Sequence, residues 1–344
     1  MASKADMPVQ PNRTMIGWQG VRFALPPEWN VTGVSLDRDS GYVRVDSPGS
    51  ASMSVQVRWT NAAREEQGPP TPYYLLAPYV RKLLKRPPPA VKKTDLKQSL
   101  EKMLKDTAKD ARKNRAVFES QIKPEKSEGE HRTAINFSWT GAGRGQGKIW
   151  RCDHCNRVVV AQVIGLQKDH NQISTVASQL FATIQDHSPD GFDLWALYDF
   201  EGSVPESFKL VSHKLMSGHL QLCFARGAEK IQMDRWGLAN VTLKKFTEEE
   251  WFIAHAVCRT SKLERRNPPI TSSHAGVKFS GALPVTARFV AVRDAKGSVR
   301  NLPSLFEGAI WHCEPSNKLF AIQVQSSRKT EGLWESVVER CRCH

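Results

Sequence analysis

Cys152 and Cys155 stand three positions apart, the spacing at which two thiolates form half of a tetrahedral zinc site or a redox pair. Zinc needs further ligands, and the tail Cys341-Arg-Cys343-His344 is the other cysteine cluster of the sequence. A site made of Cys152, Cys155, Cys341 and Cys343 therefore requires the fold to join two distant stretches. The surroundings of Cys152 also recur: Ile149-Trp-Arg-Cys-Asp-His-Cys-Asn-Arg is answered by Ile310-Trp-His-Cys-Glu-Pro-Ser-Asn-Lys, with Ser316 where Cys155 stands. The second copy dispenses with one thiol, so structural thiols are the competing reading. Each copy predicts a hairpin, with a four-residue polar turn ending in Asn between two strands.

Charge is the second feature with chemical consequences. The chain has 49 Lys and Arg against 35 Asp and Glu, a net charge of +14 that attracts polyanions. Residues 81–115 hold thirteen of the cations and only four acids. The pattern over 94–114 predicts a long helix capped by Thr94, with an apolar stripe of Leu96, Leu100, Met103, Leu104, Ala108 and Ala111. Lys92, Lys93, Lys97, Lys102, Lys105, Lys109, Arg112, Lys113 and Arg115 lie on or beside it, the composition of a sequence-tolerant nucleic-acid contact. The alternative is an ordinary solvated face with internal pairs such as Glu101 with Lys105. A stripe rich in alanine and without bulky aromatics argues against a membrane-surface helix.

The run Gly141-Ala-Gly-Arg-Gly-Gln-Gly-Lys148 departs from a phosphate-binding loop, which needs Gly, four residues, Gly-Lys and then Ser or Thr. It reads as a flexible hairpin tip whose Arg144 and Lys148 can touch a phosphate backbone. The ten histidines show no His-x-x-x-His spacing, and there is no Gly-x-Ser-x-Gly elbow. These motifs leave the chain leaning away from an enzyme, with no small-molecule cofactor evident.

The elements that position these residues are written twice. At 344 residues the chain is long enough for two cored domains. Trp18, Phe23, Gly41 and Trp59 are followed 177 positions later by Trp195, Phe200, Gly218 and Trp236, and the six tryptophans 18, 59, 150, 195, 236 and 311 read as core anchors. Each half reads as strands, a helical section, more strands and a closing helix, an antiparallel sheet packed with helices in the α+β class. The expected organisation is a disordered leader over 1–15, a first repeat over 16–187 with the basic helical insertion at about 81–115, a linker at 188–192 and a second repeat over 193–344. No secretory signal and no membrane span is legible, and seven cysteines, an odd number in a long chain, point to reduced thiols and a cytoplasmic address.

The opening strand Phe23-Ala-Leu-Pro-Pro-Glu-Trp29, together with a closing meander and a C-terminal helix, resembles the PsbP-like family, which includes the photosystem II extrinsic subunit, Ran-release factors and bacterial lipoproteins. The resemblance implies a non-enzymatic binding or adaptor scaffold and transfers no active-site residue. The functional expectation is a non-catalytic module for an anionic partner, nucleic acid or a ribonucleoprotein first. One alternative is an adaptor for an acidic protein surface, seated in a groove between the halves. Another is a zinc- or thiol-dependent enzyme using Cys152 and Cys155.

Overall fold

The computed structural model describes residues 13–37, 40–49, 53–62, 95–125, 132–258, 263–271, 274–283, 305–327 and 332–343. The chain divides into two compact units, Met1–His187 and Ser188–His344. Among the described residues antiparallel sheet dominates both, and the helices are few.

The first unit opens with the hairpin β1 (Thr14–Trp18) and β2 (Val21–Leu25). Its main sheet uses β3 (Asn30–Leu36), β4 (Ser40–Asp46), β5 (Ser54–Asn61), β6 (Glu119–Glu125), β7 (Arg132–Thr140), β8 (Arg144–Cys152) and β9 (Arg157–Gly165), in the spatial order β3-β4-β5-β9-β8-β7-β6. Helix α1 (Leu96–Lys113) lies on one face and α2 (His170–Thr183) on the other. Strand alternation decides which residue meets which helix. Ile149 joins Phe137 and Trp139 under Leu96, Leu100 and Leu104 of α1, while its neighbours Lys148 and Trp150 face the α2 side.

The second unit repeats this plan. Hairpin β10 (Phe192–Leu197) and β11 (Phe200–Pro205) precedes β12 (Lys209–Met216), β13 (His219–Arg226) and β14 (Glu229–Gly237). Two short helices follow, α3 (Ala239–Thr242) and α4 (Glu248–His255), then β15 (Glu264–Arg266), a small hairpin of β16 (Pro269–Thr271) and β17 (His274–Ala275), and β18 (Val277–Ala282). Strands β19 (Leu305–Cys313) and β20 (Lys318–Ser326) and helix α5 (Leu333–Val338) complete it. The strand order β12-β13-β14-β20-β19-β18-β15 is that of the first unit, position for position.

Register shows the duplication more sharply than topology. Strand β3 pairs Val31 with Val45 and Gly33 with Arg44, leaving Thr32 as an extra residue; β12 pairs Leu210 with Phe224 and Ser212 with Cys223, leaving Val211. Both bulges sit on the same rung, 179 positions apart. The β8–β9 and β19–β20 turns correspond at 161 positions. Cys152 pairs with Arg157 and Cys313 with Lys318 across four residues, and Asn156 and Asn317 take φ of 53° and 52°, a left-handed conformation that asparagine tolerates.

The same registers correct the frame of 177 positions. By pairing, Trp18 corresponds to Leu197, Phe23 to Gly202, Gly41 to Leu220 and Trp59 to Arg235. All six tryptophans are buried as expected, but among them only Trp150 and Trp311 are true counterparts. Trp59 donates from Nε1 to the Gln19 side chain at 3.2 Å, and Arg235, in its place, donates to the Tyr198 carbonyl at 3.0 Å. Trp236 sits one residue along and so on the opposite face, against Trp251 and His255.

Other expectations are refined. Thr94 lies outside the described residues; Asp95 caps α1, its carboxylate accepting from the backbone N–H of Lys97 at 2.9 Å and of Gln98 at 3.4 Å. Asp95→Ala is expected to cost about 1 kcal/mol, read as a lower urea midpoint. The leader falls mostly outside the described residues, and Thr14 is already in β1. The linker stretch carries local order, with Ser188 Oγ donating to Asp190 and accepting from the Phe192 N–H.

Candidate functional sites

Two places carry the chemistry anticipated from the sequence, and in the first unit they lie on opposite faces of the sheet. On one face, Leu96, Leu100, Leu104 and Ala111 bury one side of α1. At about 100° per residue, Lys102, Lys105, Lys109, Arg112 and Lys113 fall on the other side, with Glu101 at one margin and Asp106 and Asp110 at the other. All five cations are exposed, and so is Lys97 near the N-terminus. Two of them hold acids one turn back, Lys109 on Asp106 at 2.8 Å and Lys113 on Asp110 at 2.9 Å. The Lys109 ammonium holds the Asp106 carboxyl below its ordinary range. Such exposed pairs exchange readily for another anion.

From Asp95 to Arg115 there are seven cations and four acids, an excess of three. The remaining excess of the basic segment, including Lys92 and Lys93, lies outside the described residues. Arg115 is exposed just beyond the C-cap Asn114, at φ 55°. Arg144 and Lys148 project from β8 to the α2 face, Lys148 Nζ standing 5.6 Å from the centre of the Phe181 ring. The structure thus groups the α1 cations and sets Arg144 and Lys148 apart from them.

The glycine run is a turn only at 141–143. Gly145 and Gly147 lie inside β8, where a Cβ would run into Trp139 and Phe137 respectively. They are cavities for aromatic rings, not hinges. Gly308 does the same for Phe252 and Phe306 in the second unit.

The second place is the end of β8. Cys152 is buried on the α2 face and Cys155 half-buried in the turn that follows. After α2 the chain returns along β2, Arg22 and Gln185 exchanging backbone bonds at 2.9 and 2.8 Å, and this delivers Asp186 and His187 beneath the hairpin. Donor atoms of Cys152, Cys155, Asp186 and His187 all lie within 4.8 Å of one another. Cys152 Sγ stands 3.5 Å from His187 Nδ1, Asp186 Oδ1 lies 2.6 Å from the same nitrogen, and Asp186 Oδ2 accepts from Trp150 Nε1 at 2.6 Å. Cys155 Sγ lies 3.6 Å from the Asp186 carbonyl, which accepts from Arg157 at 3.1 Å. The His154 ring stacks on that of His187 at 4.4 Å. The hydrogen bond from the Cys155 thiol holds Cys152 down to about 5 and Cys155 itself above the ordinary thiol range.

The cysteines of the tail have other neighbours. Cys343 groups with Cys313 and His274, all three donor atoms within 4.8 Å of one another. Burial and the Cys313 sulfur push Cys343 up to about 11. Cys341 is a core thiol, 5% exposed, raised by burial. Three of the four cysteines singled out from the sequence are therefore found in two settings, Cys152 and Cys155 with Asp186 and His187 in one and Cys343 with His274 and Cys313 in the other, while Cys341 stands apart in the core. Glu201 exchanges backbone bonds with Arg342 as Arg22 does with Gln185, so Cys343 is the counterpart of Asp186. An Asp-His pair just after a helix was the available signal, but 31 positions separate Cys155 from Asp186.

No family model and no curated relative matches the chain. Among solved structures it is similar to the solution structure of cyanobacterial PsbP (CyanoP) from Synechocystis sp. PCC 6803, at 9% identity and a TM-score of 0.34, over 54% of this chain and 98% of that one. The chain bears a weak resemblance to the PsbP-like fold, and the likeness concerns fold alone. Among the described residues no helix is long and apolar enough to cross a membrane.

Proposed function

We propose that the protein is a non-catalytic interaction module of the cytoplasm that engages an anionic partner through α1, with nucleic acid or a ribonucleoprotein as the first candidate. The observation that carries this reading is the segregation on α1. Its leucines are committed to the sheet, so the opposite row of Lys102, Lys105, Lys109, Arg112 and Lys113 faces solvent, with Lys109 and Lys113 held only by exposed pairs to Asp106 and Asp110. Lys102, Lys105, Lys109 and Lys113 are spaced by three or four residues, one helical turn of about 5.4 Å, a repeat that suits a row of phosphates. Among the described residues the second unit shows no such row at this place: its eight-residue α4 begins with Glu248, Glu249 and Glu250.

Lys102, Lys105 and Lys109 replaced together by Glu are expected to abolish retention on heparin at physiological salt. In titrations of a fluorescent RNA or DNA oligonucleotide, the slope of log K against log salt should fall by roughly three. Leu100 and its neighbours are untouched by these changes, so the circular dichroism spectrum should be unaltered. Retention and slope equal to those of the parent protein would remove the proposal; loss of heparin binding without any oligonucleotide binding would turn it toward an acidic protein surface.

A further inference from the structure

We propose that Cys152, Cys155, His187 and Asp186 form a tetrahedral binding site for a borderline-soft divalent cation, zinc by preference. The proposal is independent of the α1 reading, since the site lies on the other face of the sheet. It also replaces the ligand set that the sequence offered, because Asp186 and His187 take the place given there to Cys341 and Cys343.

Donor type is the first argument. Two thiolates and an imidazole select zinc over magnesium or calcium, which take oxygen ligands. Spacing is the second. In a tetrahedron with Zn–S of about 2.3 Å and Zn–N of about 2.0 Å, sulfur and nitrogen stand about 3.5 Å apart. Cys152 Sγ and His187 Nδ1 are 3.5 Å apart and all four donors lie within 4.8 Å, while Asp186 Oδ1, hydrogen-bonded to that nitrogen at 2.6 Å, must open to about 3.3 Å to share a metal with it. The third argument is the outer shell. Trp150 Nε1 fixes one oxygen of Asp186, leaving the other aimed at His187, and Arg157 holds the backbone of Asp186 in place. Access is the fourth: Cys152 and Asp186 are buried, whereas Cys155 and the His187 side chain are partly exposed and open the site to solvent.

Binding is an exchange of protons for metal. Each thiol loses its proton to solvent, and His187 binds as neutral imidazole. The ring stays neutral by carrying its proton on Nε2, which frees Nδ1 for the metal, and Asp186 Oδ1, released from its hydrogen bond to Nδ1, becomes the fourth donor. Such a metal would clip the tail of the first unit, beyond α2, to the β8–β9 turn. No oxidation or reduction is involved.

The test uses the full-length protein purified under reducing conditions. Elemental analysis is expected to give one equivalent of zinc attributable to this site. Cobalt substitution should produce a thiolate-to-metal charge-transfer band and the intense visible bands of a tetrahedral centre. Cys155→Ser, at a half-exposed turn position where the second repeat already has Ser316, should lose that equivalent and the cobalt spectrum while keeping its circular dichroism. His187→Gln should weaken metal retention at least tenfold in a chelator competition. Cys343→Ser serves as the control and should leave this equivalent in place. Metal content and cobalt spectrum unchanged in Cys155→Ser would overturn the proposal, as would a reduced parent protein that takes up neither ion.

Discussion

Trp150→Phe is expected to destabilise the protein by roughly 3–5 kcal/mol, and the equivalent change Trp311→Phe by roughly 1–2 kcal/mol, although the two indoles occupy the same rung of the same strand in each repeat. Both are fully buried, at 1% and 0% exposure, so the loss of ring volume is comparable. The difference lies in what the indole N–H meets. Trp150 donates to an oxygen of Asp186 at 2.6 Å, and Asp186 is 0% exposed, so removing the donor strips a buried carboxyl of a partner that water cannot replace. At the counterpart position stands Cys343, and among the described residues Trp311 Nε1 has no oxygen or nitrogen acceptor. A thiol loses little when an N–H leaves it. Urea unfolding of both variants with chelator present separates the two contributions; equal losses would show that the Trp150 hydrogen bond contributes nothing beyond packing.

The second large effect is expected at Gly147. Valine normally strengthens a strand, yet Gly147→Val should cost about 3 kcal/mol. A methyl-bearing carbon at this position lies 2.8 Å from both Cε1 and Cε2 of Phe137, a ring that is 3% exposed and packed beneath α1. The ring belongs to the buried cluster that also holds Leu100 and Trp139, so its displacement disturbs that packing. Gly218→Ala is the matched control: its added carbon meets nothing within 4 Å, and the change should be neutral within about 0.5 kcal/mol. Thermal melts of the two variants check the contrast, and a Gly147→Val protein as stable as its parent would return the glycine run to the role of a flexible tip.

These two positions also show how far the sequence could be read. The Trp-x-Cys hairpin was legible in both copies because its signal is local: an apolar strand, four polar residues ending in asparagine, and a return strand. The stripe of α1 was legible for the same reason, since its period is fixed by the helix itself. The frame of 177 positions, by contrast, gave the right conclusion from the wrong residues. Bulky residues recur in any buried strand, and a match of tryptophans ignores the slip of one or two positions that moves a side chain to another face. Only the cross-strand register revealed that Arg235 stands where Trp59 does. The candidate site was half legible. Cysteines three apart draw attention in any sequence, whereas Asp186 and His187 reach them through a backbone bridge between Gln185 and Arg22, a contact across 163 positions with no local signature. The stretch that carries His187 read as a linker because Ser-Pro-Asp-Gly follows it. Polar composition there reflects turns that are tied down by their own side chains.

The extra residues Thr32 and Val211 have one more implication. Among the described strands, β3 and β12 are outermost in their sheets, where a row of unpaired N–H and C=O groups would invite another chain to add itself. An unmatched residue in the middle of each rim twists it away from the flat geometry that such addition needs, and β12 reinforces this with the exposed Lys209 and Lys214. Both copies have kept the same irregularity while their helices diverged. That points to a standing requirement that neighbouring molecules do not stick together rim to rim.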